Sequence, residues 1–120
     1  MLENHDGQFT NPETKSFQAA AANADWTKAQ DFYLLLTNQP GKDSWPITGA
    51  TFILMHKQQA KPDVGREALN FFDWAYRNGG QMAEQLDYVP MPDNVVKLVE
   101  QSWGQLKAAD GKPVWTGHPS

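Results

Sequence analysis

Residues 43–57 read DSWPITGATFILMHK, and the reading of this stretch decides the fold. Pro46 drives Trp45 toward an extended backbone, so the chain is redirected at that corner. Residues 50–55 are then apolar at successive positions apart from Thr51. A run without alternation predicts a strand covered on both faces, as in an α/β sheet. Such a strand needs neighbours on both sides.

Upstream, Asn11 suits an N-cap and Pro12 the first helical position. A helix over residues 12–24 would bury Phe17, Ala20, Ala21 and Ala24, spaced by threes and fours, with Glu13 favouring the positive end of its dipole. Alanines 19–22 leave little bulk, which predicts close packing against a neighbour. Residues 32–36, FYLLL, predict a short buried strand, with a helical turn as the alternative, ended by the turn-forming TNQPG.

Downstream, a helix over residues 62–78 carries the stripe Val64, Ala68, Phe71, Phe72 and Ala75, with Trp74 partly in the core. Asp63 lies in its first turn, Arg77 in its last, and Gly79 and Gly80 stop it. A short helix over 81–86 precedes the proline-restricted segment DYVPMP. From 92 to about 108, Val95, Val96, Val99, Trp103 and Leu106 mark another amphipathic helix, ended by Asp110 and Gly111. Beyond Trp115 the tail reads as loose. Helices, two strands and more helices without an internal repeat give an α/β class with too few strands for a complete sheet.

Composition narrows the function. The 120 residues are 40% hydrophobic and 12% aromatic, within the globular range. Ten Lys and Arg against 14 Asp and Glu give a net charge of −4 without charge blocks, so no basic footprint for nucleic acid exists. The longest apolar runs fall far short of the ~20 residues that cross a bilayer. With no cysteine, disulfides and thiolate metal sites are excluded. The start, MLENHDGQ, lacks the basic and apolar regions of a signal peptide.

Few residues suggest chemistry. His5, His56 and His118 are too scattered in sequence to form a ligand pair, so no metal site and no cofactor are expected. Residues 40–44, PGKDS, read as a turn: a phosphate loop would need glycine where Leu36 stands and a hydroxyl where Asp43 stands. Thr48 and Thr51, flanking Gly49, offer hydroxyls suited to an oxyanion. A bulge fits better, because no helix N-terminus follows to supply converging N–H groups. Asp87 and Asp93 read as caps and solvated carboxylates. No catalytic constellation is present, and no enzyme activity is expected.

The strings ADWTKA, LTNQPGKDSWPITGATFILMHK, LNFFDWAYRNGG, LDYVPMPDNVV and DGKPVW, in this order over nearly the whole chain, resemble the periplasmic phosphate-binding proteins of high-affinity phosphate ABC importers. The resemblance is to that family's last third. It implies a C-terminal part of a two-lobed, type II periplasmic-binding-protein fold. Residues 1–43 would belong mainly to the second lobe, 44–49 would cross between lobes, and 50–120 would return to the first. Ser44, Trp45, Pro46, Ile47 and Thr48 would then be hinge residues, and 50–55 a sheet strand of the first lobe.

The implied function is that of a solute receptor for inorganic phosphate, working with an importer permease in the periplasm. The family's phosphate ligands lie upstream, in turns that no segment here matches. Arg66 and Arg77, the only arginines, fall within a helix pattern. The resemblance therefore carries no phosphate ligand onto this chain, which would supply scaffold and hinge. The alternative is a self-associating module whose open strand edges pair with another copy.

Overall fold

The computed structural model describes residues 1–118. It is a mixed α/β chain with short strands and several helices, divided into two compact units. Unit 1 comprises Met1–Phe52 and Val89–Val95; unit 2 comprises Ile53–Tyr88 and Val96–Ser120.

In unit 1, Leu2–Glu3 (β1) pairs antiparallel with Phe9–Thr10 (β2) around the turn at Gly7, whose φ of 75° suits glycine. Thr14–Asn23 (α1) begins two residues later than the Pro12 signal suggested. The reason is local. The Ser16 hydroxyl accepts from the Glu13 N–H at 3.0 Å and lies 2.8 Å from the Glu13 carbonyl, so Glu13 rather than Asn11 caps the helix. The expected close approach is present: Ala20, Ala21 and Ala24 are buried, and the buried Trp26 indole donates to the Ala21 carbonyl at 2.7 Å. Gln18 and Asn94 then tie the 89–95 segment to this helix, through the Pro90 and Ala22 carbonyls respectively.

The expected strand at 32–36 does not form. A 3₁₀ turn spans Gln30–Phe32, Asp31 and Phe32 take positive φ, and only Leu36 of the FYLLL run is buried. The alternative of a helical turn is met only at Phe32, the last residue of that 3₁₀ turn; residues 33–36 have no regular structure. The strand expected at 50–55 is also absent: the segment has no regular structure, and Phe52, Ile53 and Leu54 are exposed at 49%, 64% and 93%. A strand is a property of a pair, and among the described residues no segment pairs with it to complete a ladder.

Unit 2 is built on Pro62–Asn78 (α2), Gly80–Gln85 (α3) and Asp93–Ser102 (α4), whose first three residues lie in unit 1. Pro62 opens α2 as expected. Gly79 ends it for a different reason from the one anticipated. Its φ is −87°, not left-handed, but its N–H reaches the Ala75 carbonyl at 2.7 Å, and a Cβ there would lie 2.6 Å from the same oxygen.

The buried side of α2 is rotated by one residue from the expected stripe. Gly65, Leu69 and Asp73 are buried, whereas Val64 and Phe71 are exposed and Trp74 is nearly half exposed. The predicted helix after 92 stops at Ser102 and tightens into a 3₁₀ turn, Trp103–Gln105. It ends in Lys107–Ala108 (β4), which pairs parallel with Gln58–Gln59 (β3). Leu69, Trp103, Leu106 and Val114 form the core, with Met55, Phe72, Val99 and Trp115 against it. No helix among the described residues is long and apolar enough to cross a membrane.

Candidate functional site

The polar residues of unit 2 converge on a buried carboxylate that the sequence pattern did not single out. Asp73 lies on the inner side of α2, one turn after Leu69, and its side chain is 6% exposed. Arg77, one turn further, donates from Nε to Asp73 Oδ1 at 2.9 Å. His118 Nδ1 lies 2.9 Å from the same oxygen, and Arg77 Nη2 lies 2.8 Å from His118 Nε2. Arg77 Nη2 lies equally close, at 2.8 Å, to Nδ1 of the same ring. Glu100 of α4 brings a second carboxylate 3.9 Å from Arg77 Nη2.

His118 arrives through aromatic packing. Trp103 and Trp115 meet edge to face at 4.9 Å, and Trp115 meets His118 at 6.1 Å. The Val114 N–H donates to the Leu106 carbonyl at 3.0 Å. The tail expected to be loose beyond Trp115 is therefore held through His118; Pro119 and Ser120 lie outside the described residues.

Burial raises the Asp73 carboxyl pKa, but hydrogen bonds from Arg77 and His118 and their charges outweigh it, leaving the group below the ordinary carboxylate value. Burial and then the Glu100 charge push the Tyr76 phenol upward. Ligand atoms of Asp73, Glu100 and His118 lie within 4.8 Å of one another, a donor set that metals use. Here the Arg77 guanidinium already supplies the positive charge facing both carboxylates. The arrangement is an ion-pair clasp between α2, α4 and the C-terminal segment. Sequence spacing placed His118 far from any partner and missed it.

Unit 1 holds the residues read as hinge and as oxyanion candidates. Ser44 and Trp45 are buried: the Trp45 N–H donates to the Ser16 carbonyl at 2.9 Å, and its ring lies 6.3 Å from Phe17. The Ser44 hydroxyl donates to the Pro40 carbonyl at 2.7 Å. Pro46 accepts from the Asn38 N–H at 2.8 Å, and Ile47 is exposed.

Asn4, itself buried, fastens the preceding loop. Its amide reaches the Lys42 carbonyl at 2.8 Å and those of Gly41 and Ser44 at 3.2 Å, and its Oδ1 accepts from the Asp6 and Gln8 N–H groups. Gly41 is required in this loop: φ is 113°, and a Cβ would meet Asn23 Nδ2 and lie 2.8 Å from Ser44 Oγ. Thr48 is buried with its hydroxyl donated to the Trp45 carbonyl at 3.0 Å, while Thr51 is exposed. The next helix begins only at Pro62, so neither threonine stands at a helix N-terminus.

Against known proteins, the chain is 45% identical over 115 residues to the phosphate-binding protein PstS of Pasteurella multocida, a match covering 95% of the chain and 33% of that protein. The chain is homologous to the PstS phosphate-binding proteins. PstS of Xylella fastidiosa is 47% identical over 102 residues, 85% of the chain and 28% of that protein. PstS of Haemophilus influenzae is 44% identical over 102 residues, 30% of its own length. The chain thus spans about a third of these PstS relatives. No family model matches it. The expected resemblance is met.

Proposed function

We propose that this chain is the C-terminal part of a periplasmic receptor for inorganic phosphate that hands its ligand to an ABC importer permease, and that it supplies scaffold and hinge rather than phosphate ligands. The observation that carries this reading is the 45% identity to a phosphate-binding protein PstS over 95% of the chain. The parent fold is type II, of which this is a partial copy.

Residues 1–43 belong mainly to the second lobe and 50–120 to the first, with 44–49 crossing between them. Within the crossing, the packed Ser44, Trp45 and Pro46 form a fixed abutment, with Ile47 and Thr48 completing the corner. Turning freedom follows at Gly49, where a Cβ would meet no atom within 4 Å. The buried Thr48 hydroxyl donates its hydrogen bond to the Trp45 carbonyl, which supports placing the phosphate ligands upstream.

The test is a chimera in which this chain replaces the matching third of Pasteurella multocida PstS. Saturable phosphate binding by calorimetry, with sulfate as control, supports the reading; a folded chimera without binding refutes it. The free chain is expected to give no heat with phosphate. A second reading, self-association, draws on the exposed Phe52, Ile53 and Leu54; light scattering that returns a monomer at all concentrations removes it.

A further inference from the structure

We propose that Asn78 is a site of spontaneous deamidation, and that the last turn of α2 holds it unreactive until that turn opens. The inference stands apart from the receptor reading.

Sequence sets the chemistry. Of the asparagines in the chain, only Asn78 precedes a glycine. Glycine has no Cβ to obstruct the approach of its own amide nitrogen to the preceding side chain, and it takes backbone angles closed to other residues. Once the Gly79 N–H has given its proton to hydroxide, the nitrogen attacks Asn78 Cγ. That C–N bond forms, the Cγ–Nδ2 bond breaks, and the amide group leaves as ammonia, taking its third proton from water. Water then opens the five-membered imide. Cleavage at Cγ gives aspartate; cleavage at the Asn78 backbone carbonyl gives isoaspartate, with the main chain running through Cγ. In sum, one side-chain amide and one water become a carboxylate and ammonium.

Structure sets the rate. Asn78 is the last residue of α2 and is exposed, so water reaches it. Both reacting groups are nevertheless engaged with the preceding turn. Asn78 Nδ2 donates to the Trp74 carbonyl at 3.0 Å, and the Gly79 N–H donates to the Ala75 carbonyl at 2.7 Å. The nucleophile's proton is thereby held, and the side-chain amide is drawn back toward Trp74. Cyclisation requires both bonds to break. The Gly79 carbonyl also accepts from the Ala83 N–H at 2.9 Å, so α3 steadies the junction from its other side. A helix end is where such bonds open most readily, and the open population governs the reaction.

The products disturb the same turn. Aspartate cannot donate to the Trp74 carbonyl, and its charge lies at the negative end of the α2 dipole. Isoaspartate adds a carbon to the main chain between α2 and α3. Either product loosens the turn that carries Arg77 of the clasp.

The test incubates the full 120-residue chain in mildly alkaline buffer, folded and in guanidinium chloride, and follows peptide masses and methyl acceptance from an isoaspartyl methyltransferase. Asp6 and Asp110 also precede glycine, but they form the imide by losing water, so the mass gain of amide-to-acid conversion reads asparagine alone. In guanidinium, conversion at Asn78 is expected to lead that at every other asparagine. In the folded chain it should be at least about tenfold slower. Ala75→Gly, which keeps the carbonyl but loosens the turn, should speed conversion in the folded chain and leave the unfolded rate unchanged; Asn78→Gln should remove it. Conversion led by another asparagine, equal rates in the folded and unfolded chains, or a folded Ala75→Gly chain no faster than wild type overturns the proposal.

Discussion

Leu69→Ala tests the architecture of unit 2 most directly. Leu69 is completely buried and packs with Trp103, Leu106 and Val114. Alanine removes the three carbons beyond Cβ. At about 0.8 kcal/mol per buried methylene, the transfer contribution alone is roughly 2.4 kcal/mol. The Trp103 and Trp115 rings, fixed edge to face at 4.9 Å, cannot slide into the space without losing that contact, so a cavity contribution adds to it. The expected loss is about 3–4 kcal/mol, within the usual range for buried leucines.

Against a total stability of about 5–15 kcal/mol this is a large fraction, and the melting temperature should fall by roughly 10–15 °C. Urea unfolding of wild type and variant, followed by tryptophan fluorescence and far-UV circular dichroism, measures it. A loss below about 1 kcal/mol with an unchanged denaturant slope would show that Leu69 is not in the core. The inner side of α2 would then be the Val64, Phe71 stripe after all.

Ile53→Asp, severe if residues 50–55 were a buried strand, is expected to leave the melting of the free chain within about 0.5 kcal/mol, because Ile53 is 64% exposed; a chain that no longer folds would put the segment back in a core. Asp73 has a depressed pKa in the folded chain, so its contribution is present above the unfolded value of about 3.9 and lost as pH falls below it. Urea midpoints of wild type and Asp73→Asn should therefore differ at neutral pH and converge in acid below about pH 4; a constant difference would exclude the clasp. Gly41→Ala should cost about 1–3 kcal/mol from its left-handed backbone and from displacement of Asn23 and Ser44, and an unshifted thermal transition would contradict that geometry.

The legible parts of the fold were those that local chemistry decides. α2 and α4 follow the 3.6-residue period, Pro62 starts the first, and alanines 20, 21 and 24 pack as their size suggests. The same reasoning misplaced the buried side of α2, because the residue it buries beside Leu69 is Asp73. A carboxylate there reads as solvent-facing until a partner is known, and its partner His118 lies 45 positions away along the chain. Only the Asp73–Arg77 half of the clasp, an i,i+4 pair, left a local signal.

By itself, the sequence determined the helices, the corner at Trp45 and Pro46, the lack of cysteine for disulfides, and a likeness to phosphate-binding proteins that comparison bears out. Tertiary structure alone decided which side of α2 is buried, where the tail is held, and that residues 50–55 stay open. Helix hydrogen bonds close within a few residues, so helices can be read from a window of sequence. A strand, a buried carboxylate and a bound tail each need a group supplied from elsewhere, and for the strand no partner pairs with it among the described residues.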